Sequence, residues 1–257
     1  MGSTPRSNAT GCFAAAINFW IVSQVASCWS DCILQSCCVL AERLRDVEER
    51  IANACASSGR NRSDITLVGV TKIFPFSVIA ESHELGLRHF GENYVQEFSD
   101  KAPNVSQLEG AVFHLIGHLQ SNKSARAAEL FNVVQTVDSP KLARRLNESG
   151  KALKIMIEVK LSAEESKHGA APDELKAILG AVAECPNLQL LGLMTMPPWS
   201  DEPEQSRPYF AKLREIASEY RLQDLSMGMS HDLEVAIAEG ATHIRVGTAL
   251  FGKRQKT

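Results

Sequence analysis

Eight short runs of aliphatic and β-branched residues recur along most of the chain, with amphipathic stretches between them, and this alternation constrains the fold more than any other feature. The runs are Thr66-Leu-Val-Gly-Val70, Leu87-Arg-His-Phe90, Phe113-His-Leu-Ile116, Val133-Val-Gln-Thr-Val137, Lys154-Ile-Met-Ile-Glu-Val159, Leu188-Gln-Leu-Leu-Gly-Leu193, Asp224-Leu-Ser226 and His243-Ile-Arg-Val246. Ser139 to Ser149, Pro172 to Glu184, Glu204 to Tyr220 and His231 to Glu239 carry apolar residues at helical spacing. The last of these is followed by Gly240, where a helix C-terminal glycine belongs. Eight strands alternating with helices over about 200 residues predict an α/β protein built as a single (β/α)8 barrel of the TIM type. A doubly wound open sheet also alternates, but it rarely needs eight strands and usually opens on a glycine-rich turn. Here the first turn is Val70-Thr-Lys-Ile-Phe-Pro75, without glycine.

The barrel domain is expected over residues 38–257, where Leu40, Leu44, Val47, Ile51 and Ala54/Cys55 begin it as the apolar stripe of a helix that Gly59 stops. Residues 1–37 differ. Ser7 to Cys38 holds one acidic residue, Asp31, and no basic one, around the apolar stretch Phe13 to Val22, and only Arg6 supplies side-chain positive charge ahead of it. That is too little for a secretory or transit peptide, so a poorly ordered or non-native extension is expected. Five of the seven cysteines (Cys12, Cys28, Cys32, Cys37, Cys38) fall here, leaving Cys55 and Cys185 in the body. An odd count so distributed is no disulfide framework and fits a reducing compartment, the cytoplasm. The cluster lacks C-x-x-C pairing and nearby histidine, so no metal site is expected. A net charge of −3 leaves no basic footprint for nucleic acid, and no apolar run reaches the roughly 20 residues of a membrane span.

Barrel sites lie at the C-terminal ends of the strands. The first run delivers Thr71-Lys72 there; a lysine so placed is partly desolvated, which favours amine chemistry such as Schiff-base formation, though it can equally snorkel to solvent. The loops after strands seven and eight commonly build phosphate sites. Ser230 is expected to cap the helix from His231, with Gly228, Gly247 and Thr248 supplying close backbone approach and a second hydroxyl. A lysine facing such a cup suits a phosphate cofactor bearing an aldehyde. Arg245, among apolar neighbours on the last run, needs an acceptor: a structural carboxylate such as Glu92 or Glu158, or a cofactor ring nitrogen or phosphate.

The motifs Leu67-Val-Gly-Val-Thr-Lys72, His89-Phe-Gly-Glu-Asn-Tyr-Val-Gln-Glu97, Phe113-His-Leu-Ile-Gly-His-Leu-Gln-Ser-Asn-Lys123, Glu165-Ser-Lys-His-Gly169, Gly192-Leu-Met-Thr-Met196, Leu225-Ser-Met-Gly-Met-Ser230 and Ile244-Arg-Val-Gly-Thr-Ala-Leu-Phe-Gly252 occur in one order between residues 39 and 254. In them the chain resembles the YggS/PROSC family of pyridoxal phosphate (PLP) homeostasis proteins, which share the barrel of the alanine racemase N-terminal domain, fold type III of PLP proteins. The resemblance implies that PLP is the cofactor and that Lys72 carries it as a Schiff base. It implies a phosphate held by Ser230, Gly247 and Thr248 with Ser226 and Met227 close by, Asn93 lining the pocket, and Arg245 facing the pyridine nitrogen. An arginine there leaves that nitrogen unprotonated, so the cofactor is a poorer electron sink.

Two-base racemization needs an acid/base group on each face of the substrate carbon. In alanine racemase the second is a tyrosine of a C-terminal β-domain, and this sequence continues only five residues past Gly252. The expectation is therefore a monomeric, non-catalytic PLP carrier, with PLP-dependent apoenzymes as possible recipients. The alternative is an amino-acid racemase or related enzyme, with Tyr94, His114 or His118 as the second base. A phosphate-sugar barrel enzyme using Glu92 and Glu158 would leave Lys72 unexplained.

Overall fold

The computed structural model describes residues 38–162, 164 and 168–252. The N-terminal extension, its cysteine cluster apart from Cys38, and most of Glu165-Ser-Lys-His-Gly169 lie outside the described residues. The chain divides into two compact units, residues 1–42 and 43–257. Of the first, residues 38–42 are described, and they are helical.

The second unit is the expected barrel. Its strands are β1 (Thr66–Val70), β2 (His89–Glu92), β3 (Val112–Leu115), β4 (Val133–Val137), β5 (Leu153–Glu158), β6 (Leu188–Met194), β7 (Asp224–Met229) and β8 (His243–Val246). All pair in parallel in sequence order, and β1 pairs with β8 to close the ring. Strands covered on both faces are buried along their length, as in β4, all five of whose residues are buried, the polar Gln135 and Thr136 included.

Helix α1, of which residues 43–57 belong to this unit, buries Val47, Ile51 and Cys55 as its stripe predicts. The helices that follow are α2 (Phe76–Glu84), α3 (Val95–Val105), α4 (Ser124–Leu130), α5 (Pro140–Asn147), α6 (Leu175–Ala183), α7 (Arg207–Glu219), α8 (Leu233–Ala238) and α9 (Thr248–Phe251). Ser139 caps α5 by accepting from the Leu142 amide, with Pro140 in the first turn where its missing N–H costs nothing. Gly240, just past α8, has φ +99°, the left-handed conformation expected of it.

The layer between sheet and helices is apolar: Phe98 of α3 packs on Phe113 of β3 at 4.8 Å and on Phe131 at 4.7 Å, with Phe210 of α7 fully buried in the same core. The barrel interior is different, holding the buried polar side chains of His114, Gln135, Ser226 and Arg245. Among the described residues no helix is long and apolar enough to cross a membrane.

Candidate cofactor-binding site

At the C-terminal ends of the strands a cavity of about 250 Å3 is lined by Lys72 after β1, Asn93 after β2, Arg245 in β8, Ser230 after β7, and Gly247 and Thr248 after β8. Six of the eight expected site residues thus meet around one space. Val70, Ile116, Met196, Met229 and Trp199 give it apolar walls, and His231 stands at its edge with its ring bonded to the Asp201 carbonyl at 2.9 Å.

Ser226 and Met227 do not line this cavity. Met227 is fully buried in the hydrophobic core, and Ser226 lies inside the barrel. What Ser226 does is hold Arg245. The guanidinium donates from Nη1 to Ser226 Oγ at 2.6 Å and from Nη2 to the Thr195 carbonyl at 2.9 Å. The ion pair with Glu92 or Glu158 considered from sequence is not the arrangement found. Glu92 instead accepts from Lys101 at 2.9 Å and from the Thr71 hydroxyl at 2.8 Å, while Glu158 acts on Arg245 only through its field. Burial dominates the titration of Arg245, pushing its pKa down to about 10. It stays charged at neutral pH.

Ser226 starts a chain of bonds through the barrel interior. Its hydroxyl donates to Gln135 Oε1 at 2.6 Å, Gln135 Nε2 meets His114 Nδ1 at 2.9 Å, and His114 Nε2 meets His89 Nδ1 at 2.9 Å. A guanidinium can only donate, so the Ser226 proton must turn toward Gln135 Oε1. The amide NH2 then faces His114, which must carry its own proton on Nε2. Burial first, then the neighbouring His89, His243 and Lys154, holds His114 well below the ordinary histidine pKa. It is a neutral link of the interior rather than a second base at the cavity.

The phosphate loops also differ in one respect from expectation. Ser230 does not cap the helix; α8 begins at Leu233 behind Asp232, whose Oδ1 accepts the Met229 amide at 2.7 Å. β7 itself runs past Ser226 to Met229, shifts register against β8 between those two residues and passes through Gly228 at φ +88°. This bulge aims Ser230 at the start of α9, where its Oγ accepts from the amides of Gly247 at 3.2 Å and Ala249 at 3.3 Å. With both amides donating to its oxygen, the Ser230 hydroxyl is fixed at the edge of the cavity with its proton left to donate.

Tyr94 and His118 line a neighbouring cavity of about 700 Å3 that shares Asn93, Ile116 and Met196 with the first. His118 stacks on His168 at 3.9 Å and lies 3.6 Å from Asp138. Met196 and Met229 fell within motifs read from sequence as strand ends, whereas Trp199 carried no signal: it lies in a proline-flanked loop whose direction only the fold sets.

The family model for the alanine racemase N-terminal domain matches residues 60–255. The pyridoxal phosphate homeostasis protein of Aquifex aeolicus is 42% identical over 224 residues, covering 83% of this chain and 98% of that protein. That of Pseudomonas aeruginosa is 43% identical over 221 residues, covering 84% and 96%. Among solved structures, PipY of Synechococcus elongatus with PLP bound superposes at a TM-score of 0.73 with 38% identity, covering 83% of this chain and all of that one. Alanine racemase of Clostridium difficile, at 14% identity and a TM-score of 0.64, shares the fold; 57% of its chain is covered.

Proposed function

The chain belongs to the pyridoxal phosphate homeostasis protein family, and from that premise we propose that it binds PLP between Lys72 and the β7–β8 loops and serves cofactor homeostasis rather than turnover of a substrate. The observation that carries this is the single cavity onto which Lys72, Asn93, Ser230, Arg245, Gly247 and Thr248 converge.

The residues present fit the group. Asn93 Oδ1 is buried with no hydrogen-bond partner, an acceptor left for a ligand donor to satisfy. The Ser230 and Thr248 hydroxyls line the cavity beside Gly247, and because the Gly247 and Ala249 amides donate to Ser230 Oγ, that hydroxyl is left to donate its proton to a phosphate. Val70, Ile116, Met196, Met229 and Trp199 can cover a planar ring and exclude water from its faces.

When bound, PLP supplies an aldehyde that reacts with a primary amine, and Lys72 is the amine in the cavity. Arg245, held by Ser226 and Thr195, presents a cation that keeps a facing ring nitrogen unprotonated and able only to accept. That favours holding the cofactor over stabilising a carbanion. The relatives' names, homeostasis proteins and not enzymes, support the same reading. It carries with it a cytoplasmic monomer that passes PLP to apoenzymes; the free thiols of Cys55 and Cys185 suit a reducing compartment.

The test is borohydride reduction of the protein after incubation with PLP, followed by intact-mass measurement and peptide mapping. A pyridoxyl group on Lys72, absent from Lys72→Ala, is the expected result. Protein that gains no such mass would overturn the assignment, and amino-acid turnover well above that of free PLP, lost in Lys72→Ala, would replace it with the racemase-type reading.

A further inference from the structure

Directly after Lys72 stands a β-branched residue in a conformation such residues avoid. Ile73 has φ +73°, in the left-handed region. Its side chain is 59% exposed, so packing does not hold it there. The Phe74 amide donates to the Thr71 carbonyl at 3.1 Å, closing a turn with Lys72 and Ile73 at its centre. Glycine is the ordinary residue at the third position of a turn with positive φ there.

The restraint comes from α3. Glu97 Oε1 accepts the Ile73 amide at 2.6 Å. Lys101, 9% exposed, spends its three ammonium donors on Glu97 Oε1 at 2.7 Å, Glu92 Oε1 at 2.9 Å and the Thr71 carbonyl at 3.2 Å. Glu92 in turn accepts the Thr71 hydroxyl, and the Thr71 amide donates to the Gly91 carbonyl at 2.9 Å. The peptide is thus gripped on both sides of Lys72, at Thr71 and at Ile73, through one buried cation.

We propose that Lys101 and Glu97 are positioning residues for Lys72: they clamp Thr71 and Ile73, hold Ile73 left-handed, and so set the direction in which the Lys72 side chain leaves the backbone toward the cavity. This rests on the assignment of Lys72 as the PLP-binding lysine. A lysine on a free turn would sample other directions, and its amine would meet a docked aldehyde less often. Conformations over-determined by their surroundings cluster at functional sites.

Lys101→Met leaves Glu92 buried without its counter-charge and can fail to fold, so the decisive variant is Glu97→Ala, which removes the half-exposed end of the clamp. Two quantities are read: exchange of the Ile73 amide proton in the PLP-free protein, and the rate at which borohydride-trappable PLP appears on Lys72. Glu97→Ala should speed Ile73 exchange and slow trapping about tenfold, the effect of losing one hydrogen bond to a charged group. Glycine takes a left-handed φ without help, so in an Ile73→Gly background the same Glu97→Ala change should slow trapping less than about threefold. An equal loss in both backgrounds would show that Glu97 only stabilises the fold. Trapping that stays fast in Glu97→Ala would sink the clamp alone, whereas wild-type protein that takes no pyridoxyl group on Lys72 sinks the PLP assignment and the clamp together.

Discussion

Arg245→Met separates what the barrel needs from what the cofactor needs. The guanidinium is buried, and its pKa of about 10 lies some two and a half pH units below the ordinary value. At about 1.4 kcal/mol per unit, keeping this charge inside the barrel costs on the order of 3 kcal/mol. The cost has a definite sign and window. A base with a depressed pKa is charged in both folded and unfolded states below about pH 10, so the penalty is constant through the neutral range and eases only as pH rises through the folded pKa. Against it stand the bonds to Ser226 Oγ and the Thr195 carbonyl, each roughly 1.5–3 kcal/mol for a charged donor. Methionine removes both the penalty and the bonds while filling most of the volume. The difference leaves the PLP-free protein destabilised by no more than about 3 kcal/mol, a fall in Tm of at most roughly 10 °C for a domain of this size. Loss of a charged donor to the ring nitrogen should weaken PLP binding by about 10- to 100-fold. Thermal melts of PLP-free protein and fluorescence titration with PLP read the two quantities separately. A Tm loss above about 15 °C would refute the energy balance worked out for the barrel interior, and unchanged PLP affinity would refute the assignment of Arg245 to the ring.

Three further outcomes follow from the same structure. Burial lowers the pKa of His243 to about 4, and burial likewise lowers His89 and His114; these histidines are neutral in the fold and take up protons near pH 6.5 when unfolded. Their contribution is present above pH 6.5 and lost as pH falls toward 4, on the order of 2–3 kcal/mol for His243 alone, so urea midpoints should drop between pH 7 and 4.5 and His243→Gln should flatten the profile; a flat wild-type profile contradicts this. Ser230→Ala or Thr248→Ala should each speed PLP loss on dialysis by roughly tenfold with Tm within a few degrees of wild type, and retention unchanged in both would remove the phosphate site from these loops. Phe210→Ala, which empties a fully buried position under α7, should cost about 3–5 kcal/mol in chemical denaturation; a cost below about 1 kcal/mol would mean the core there is not packed as described.

Strand existence and order were legible because a closed parallel sheet buries both faces of every strand, which writes near-continuous aliphatic runs into the chain. β1, β4 and β8 begin and end where those runs do. β2 does not: the run predicts Leu87 to Phe90, and the strand is His89–Glu92. A charged residue reads as a strand's end, yet Glu92 continues the strand because Lys101, nine residues on, supplies its counter-charge from α3. β7 likewise runs on to Met229 through a left-handed glycine, which displaced the expected cap from Ser230 to Asp232.

The candidate site divides the same way. The local motifs around Lys72, Asn93, Ser230, Gly247 and Thr248 were readable because each follows the end of a strand, with Arg245 one residue short of such an end, and in a barrel all such ends face one side. That Ser226 serves Arg245 and not the cavity could not be read. The partners along Arg245, Ser226, Gln135, His114 and His89 are 19, 91, 21 and 25 residues apart. Sequence alone therefore determined the barrel, the cofactor class and the side of the sheet where chemistry occurs, since these depend on periodicity and on contiguous motifs. Only the tertiary structure decided which polar residues face the cavity and which hold one another, because a hydrogen bond's partner is chosen by closure of the barrel across distances that no local pattern records.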